Sequence, residues 1–166
     1  MKLSKLGFLT NNQMIISGCL CDLNEKCNQM NNLNIIDKEQ IPAEYAIIEI
    51  DAKEVTSLRE FYEVLAKAMH FPDNFGFNLD SLDELLNDLS WIEDEKLAVY
   101  FTNSDKFLEK ERNETKILTL LDLLDATCED WKWHEMDEED EDFTQKELLF
   151  GFDKSQRMVQ LLNKLQ

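Results

Sequence analysis

The stretch Phe71–Leu89, FPDNFGFNLDSLDELLNDL, holds the side chains whose types and spacing can do chemistry. Asn78 is a good helix N-cap. After it Leu79, Leu82, Leu85, Leu86 and Leu89 recur at the spacing of one helix face. Asp80, Asp83, Glu84, Asn87 and Asp88 fill the complementary positions, and separations of three and four align them in one stripe. No Lys or Arg lies between Asp73 and Asp94 to offset them. Carboxylates crowded in this way repel one another and add nothing to an isolated chain, although the helix dipole favours Asp80 near the N-terminus. They can accept bidentate, charge-assisted hydrogen bonds from guanidinium or ammonium groups. A purely solvated face is the plainer use of such a stripe. A third use is a Mg²⁺ site on Asp80, Asp83 and Glu84. These three share one helix, however, with no convergent ligands elsewhere, no nucleophile–base pair and no phosphate-binding loop. No catalytic residue, metal or cofactor is therefore assigned, and an enzyme is not expected.

The charge balance of the chain points the same way. Its 166 residues carry 35 Asp and Glu against 17 Lys and Arg, a formal charge of −18. A field of that sign repels phosphate backbones and anionic lipid and attracts cationic surfaces. Direct binding to nucleic acid or to a membrane is not expected, whereas binding a protein that itself holds nucleic acid is. Cys19, Cys21 and Cys27 are spaced C-x-C-x5-C, which matches no common zinc pattern. With Cys128 they read as reduced thiols. The apolar run at the N-terminus is too short for a signal peptide, and no stretch approaches the ~20 apolar residues of a membrane span. The expected location is the cytoplasm.

These side chains need a scaffold, and the pattern supplies one. Residues 1–44 are Asn-rich and read as an N-terminal extension. Lys5–Thr10 and Gln13–Leu23 are candidate strands of a hairpin, and Asn24–Gln40 reads as loop or a poor helix. Residues 45–166 read as the main domain. Tyr45–Ile50 is a nearly continuous apolar run suited to a buried strand. Ser57 and Glu60 form a capping box opening a helix to about His70, which Phe71-Pro72 ends. The acidic helix follows, then a strand at Lys96–Phe101, a short helix at Asp105–Lys110 and a helix at Thr115–Ala126. Trp131–Trp133 alternates as a third strand would. Glu135–Asp142, with seven acids in eight residues, reads as an exposed loop. Leu148–Phe152 is a further strand and Ser155–Leu165 a terminal amphipathic helix. The order β-α-α-β-α-β predicts an α/β fold with a small parallel sheet packed by helices.

The run Phe71-Pro72-Asp73-Asn74-Phe75-Gly76-Phe77-Asn78-Leu79-Asp80-Ser81-Leu82-Asp83-Glu84-Leu85 resembles the barstar signature: hydrophobic-Pro, two residues, aromatic, Gly, any residue, Asn-Leu-Asp-Ala-Leu. The strands and helices flanking it agree, and the resemblance covers about Tyr45 to His134. It implies a three-stranded parallel sheet with helices around it, the N-terminal mostly β extension and the C-terminal strand–helix being additions. It also implies an immunity protein of the toxin–antitoxin kind used in bacterial competition. Such a protein binds a basic ribonuclease toxin 1:1 inside the producing cell and occludes its active site through the helix and preceding loop.

Carried over, Asp80 and Glu84 are the central acids. Asn74, Phe77, Asn78, Asp83, Asn87 and Asp88 surround them. A further acid on the following helix is Asp122 or Asp125, because alignment by apolar positions and alignment by Cys128 disagree. The chain departs from the pattern at three places. Asn74 and Asp83 stand where aromatics are common, and Glu84 is one methylene longer than the usual Asp, so the cognate toxin differs from the family's best-known enzyme. The competing reading is an acidic regulator or nucleic-acid mimic acting on a host nucleic-acid-binding protein.

Overall fold

Apolar patterning and chain order together build one parallel sheet. The computed structural model of the chain describes residues 32–133 and 146–165. The candidate hairpin, Cys19, Cys21, Cys27 and the acidic loop lie outside the described residues. Four strands, β1 (Leu33–Ile35), β2 (Ala46–Asp51), β3 (Lys96–Thr102) and β4 (Glu147–Phe152), and four helices, α1 (Leu58–Ala68), α2 (Leu79–Asp88), α3 (Glu114–Trp133) and α4 (Gln156–Asn163), follow in the order β1-β2-α1-α2-β3-α3-β4-α4. The spatial order is β1-β4-β3-β2, and every pairing is parallel.

β3 is central, and its alternation assigns the two faces. Leu97, Val99 and Phe101 point into the main core shared by all four helices. Ala98 and Tyr100 point to the other face, where Ile41, Ile36, Tyr45 and Leu149 cover them. Phe101 is the hub of the main core. Its ring stacks on Phe152 at 5.0 Å and on Phe61 of α1 at 6.1 Å, and meets Phe107 edge-on at 5.3 Å. On the opposite face Gly151 lies beside Tyr100, where a Cβ would sit 3.0 Å from Cδ2 of the ring. The Tyr100 hydroxyl donates to the Ile36 carbonyl at 3.1 Å.

Four expectations need correction. The sheet has four strands, not three: Leu33–Ile35, read from sequence as loop or poor helix, pairs with Phe150–Phe152. A three-residue strand with an asparagine at its centre has too short a pattern to announce itself, and it is held by its neighbour. Trp131–Trp133 is the last turn of α3, not a strand. Trp131 continues the buried face of Leu124, Thr127 and Cys128, and Trp133 two residues on faces outward. The run in β2 is an edge strand whose Ile47 and Glu49 are exposed, because the cover over this face stops short of its outer rim. Asp105–Lys110 holds only a 3-10 turn, Ser104–Lys106, closed by Asp153, whose carboxylate accepts the Asn103 and Ser104 amides at 2.6 and 2.8 Å.

Among the described residues, no helix is long and apolar enough to cross a membrane. The entry to α1 is the predicted capping box. Glu60 Oε2 accepts the Thr56 hydroxyl at 2.5 Å, the Thr56 amide at 3.0 Å and the Ser57 amide at 3.1 Å. The Thr56 hydroxyl above all holds the Glu60 carboxyl below its usual range. A depressed pKa adds stability that is present above the unfolded value, about 4.3, and lost as pH falls through the folded one. Glu60→Gln is therefore expected to be less stable than wild type at neutral pH, with the deficit shrinking below about pH 4. Urea midpoints on both sides of that range check this, and a deficit unchanged in acid would show that the charge is immaterial.

Candidate functional site

Helix α2 and the loop before it are built by local rules that can be followed atom by atom. Phe71-Pro72 closes the first helix, and the Phe75 amide donates back to the Pro72 carbonyl at 3.1 Å, turning the chain. Phe75 is buried. Its ring meets Phe71 edge-on at 5.1 Å and Tyr62 at 6.1 Å, and Phe71 in turn meets Trp91 at 5.8 Å. Gly76 suits a close approach, since a Cβ there would lie 2.8 Å from Asn78 Nδ2 and 3.3 Å from Ser81 Cβ and would displace the Asn78 cap. Three hydrogen bonds tie this corner. The Gly76 amide donates to Ser81 Oγ at 2.9 Å, Asn78 Nδ2 donates to the Gly76 carbonyl at 3.1 Å, and the Ser81 amide donates to Asn78 Oδ1 at 2.9 Å. Phe77 between them has a positive φ of 50°, unusual for a residue with a bulky side chain.

From this fixed start α2 buries Leu82, Leu85 and Leu86, followed by Leu89 at its C-cap. The Trp131 indole donates to the Leu86 carbonyl at 2.9 Å and the Trp91 indole to the Met69 carbonyl at 3.0 Å. Each tryptophan thereby satisfies a carbonyl at the C-terminal end of a helix. Burying the leucine face turns Asp80, Asp83, Glu84, Asn87 and Asp88 to solvent, and all five are exposed.

Within that stripe the roles divide. Asp83 accepts Asn87 Nδ2 on its carbonyl and on Oδ1, at 3.0 and 3.1 Å. Asp80, Glu84 and Asp88 have no hydrogen-bond or ion-pair partner among the described residues. Asn74 is exposed in the loop. Asn78 spends its side-chain amide on the Gly76 carbonyl and the Ser81 amide, within the loop and the first turn of α2.

On α3, Asp122 is exposed, whereas Asp125 is half-buried and engaged at the entrance to β1. There its Oδ1 accepts the Asn32 amide and its carbonyl accepts Asn32 Nδ2. The buried Cys128 thiol, on the same helix, is pushed up to about 12 by desolvation, so it stays a thiol and contributes packing. No group of three or more His, Cys, Asp or Glu among the described residues is disposed to hold a metal ion.

The sequence reading did not single out Arg59, Tyr62 and Glu63. With Phe77 they line an open hollow between α1 and the loop, adjoining the start of α2. The only sequence signal was the i, i+4 spacing of Arg59 and Glu63, which reads as an ordinary surface pair.

A parallel sheet covered on one face by four helices, with an uncompensated acidic helix behind a pinned glycine loop, defines an α/β scaffold that presents negative charge. Residues 45–146 match the family model Barstar (barnase inhibitor), more than half of the chain, and the chain belongs to that family. The match begins just before β2 and ends at the start of β4, so it contains α1, the loop, α2, β3 and α3. No curated protein sequence matches the chain.

The unpaired carboxylates and the cap are expected to behave oppositely in a stability measurement. Asn78→Ala should cost about 1 kcal/mol through loss of the N-cap. Asp88→Asn, which removes a negative charge from the C-terminal end of the helix dipole, should raise stability by roughly 0.3–1 kcal/mol at low salt. Urea melts of both variants check the pair. A destabilised Asp88→Asn would mean that the acid is held by something within the fold.

Proposed function

We propose that this chain is an immunity protein. It binds a basic ribonuclease toxin in the cytoplasm of the cell that makes the toxin, one to one, and occludes the active site with α2 and the loop before it. The observation that carries this reading is that Asp80, Glu84 and Asp88 are exposed, and without a partner among the described residues, on a helix whose start is pinned by three hydrogen bonds. Such a surface gives nothing to the monomer and fits a cationic partner.

A ribonuclease cleft holds phosphate with Arg, Lys or His, and carboxylates fixed on a helix meet those groups without first being ordered. Asp80 and Glu84 are the central acceptors. Asp83, Asp88, Asn74 and Phe77 extend the contact, and Asp122 supplies the acid from the following helix. Asn78 and Asn87 position their neighbours, and Asp125 is spent on Asn32. The formal charge of −18 accelerates encounter with a cationic partner. Nothing in this mechanism calls for a cofactor, and the chain acts by binding alone.

The test is co-expression with a nuclease-toxin domain encoded beside it. Growth should be rescued by wild type and not by a folded Asp80→Ala/Glu84→Ala variant. Each single substitution should weaken binding by at least ~2 kcal/mol, a size typical of buried interfacial charge pairs, those of barnase and barstar in this family among them. Raising salt should lower the association rate more than it raises the dissociation rate. Rescue by both proteins would move the interface elsewhere. Capture of a host nucleic-acid-binding protein in place of any toxin would replace the reading by that of a regulator.

A further inference from the structure

Beside α2 the geometry points to a second recognition element: we infer that the hollow between Phe77 and α1 receives an arginine side chain from the basic partner. This rests on the inhibitor reading and names a contact that α2 does not make.

Phe77 is 53% exposed, one of the few large apolar side chains left in solvent. It is nonetheless held. Its backbone is fixed at positive φ between Gly76 and Asn78, and its ring lies on buried Phe75 at a centroid distance of 4.8 Å. Phe75 is braced in turn by Phe71 and Tyr62. The ring thus rests on the core at one side and lines the hollow at the other. Tyr62 and Glu63 form the wall on α1.

The chain itself shows what this wall accepts. Arg59 Nε donates to Glu63 Oε1 at 2.9 Å, with the Arg59 side chain 88% exposed. An exposed i, i+4 pair of this kind is weak and easily exchanged. A guanidinium from the partner can take the same carboxylate while its plane covers the Phe77 ring, adding a cation–π contact. Arginine is favoured over lysine because its planar fork satisfies the carboxylate and stacks on the ring together. The position also fits, since Phe77 immediately precedes the N-cap of the acidic helix, so the hollow borders the negative surface of α2.

The test uses the full chain and two small probes, Nα-acetyl-arginine methylamide and its lysine counterpart, followed by NMR of the Phe and Tyr rings and backbone amides. Shifts should concentrate on Phe77, Tyr62 and Glu63, with arginine bound about two- to five-fold more tightly than lysine. The same pattern should persist in Asp80→Ala/Glu84→Ala, which separates this site from α2. Arg59→Ala should tighten the probe by roughly two-fold by removing the internal competitor. Glu63→Gln should abolish binding, and Phe77→Leu, which keeps apolar bulk at the strained position, should erase the arginine preference. Shifts confined to α2, or a preference unchanged by Phe77→Leu, would overturn the inference. The inhibitor reading would still stand on the growth assay.

Discussion

Burial of the leucine face of α2 is the constraint from which the rest of the site follows. Leu82, Leu86 and Leu89 are fully enclosed, and each such side chain contributes roughly 1.5–3 kcal/mol. Repulsion between exposed carboxylates one turn apart costs only about 0.2–0.5 kcal/mol per pair. The apolar term therefore wins and fixes the rotation of the helix, and the acids have no choice but to face water. The charged surface is thus oriented by the core and needs no ion pairs of its own. That is why Asp80, Glu84 and Asp88 can stand without a partner among the described residues and the chain still fold.

The loop before α2 meets the same need by different means. An interface that must be ordered on binding loses affinity to the entropy of ordering. In the interface proposed for this loop, that entropy is already spent in folding. Gly76 is packed against Asn78 and Ser81, Phe75 is buried among Tyr62 and Phe71, and Trp91 ties the end of α1 to the chain after α2. The aromatic chain from Trp91 through Phe71 and Phe75 to Phe77 carries support from the interior to the surface. Its outer ring stands beside Glu63, so aromatic and acidic groups meet at the boundary of α1 and the loop.

Behind the site, the sheet keeps the helices in register. Phe101 on the central strand touches Phe61 of α1, Phe107 after the strand and Phe152 of β4, so one side chain joins three elements. At the opposite end Lys146 is buried and donates to the carbonyls of Ile92 and Asp94 at 2.6 and 3.0 Å. The segment leaving α2 is thereby attached to the start of β4. Removing that ammonium would leave two half-buried carbonyls without their donor, a larger penalty than loss of a surface charge.

Much of this was legible in the sequence because it is governed by short-range rules. Helical leucine spacing, the capping residues Ser57 and Asn78, the proline stop at Pro72 and the acid stripe are all contained within a few residues of one another. They located α1, α2, the terminal helix and the candidate acids, and the run from Phe71 to Leu85 carried the family resemblance. The features that the sequence left open depend on partners far along the chain. Leu33–Ile35 is a strand only because β4 lies beside it. The apolar run of β2 ended at an edge because a parallel sheet must stop somewhere, and hydrophobicity does not say where. Trp131 belongs to a helix because its indole reaches the Leu86 carbonyl, a contact between residues 45 positions apart. The same holds within the site. Asp122 and Asp125 are alike in sequence, and only the approach of Asn32 to Asp125 separates an exposed acid from an engaged one. Local chemistry thus determined which side chains could recognise a partner, and long-range packing decided which of them are left free to do so.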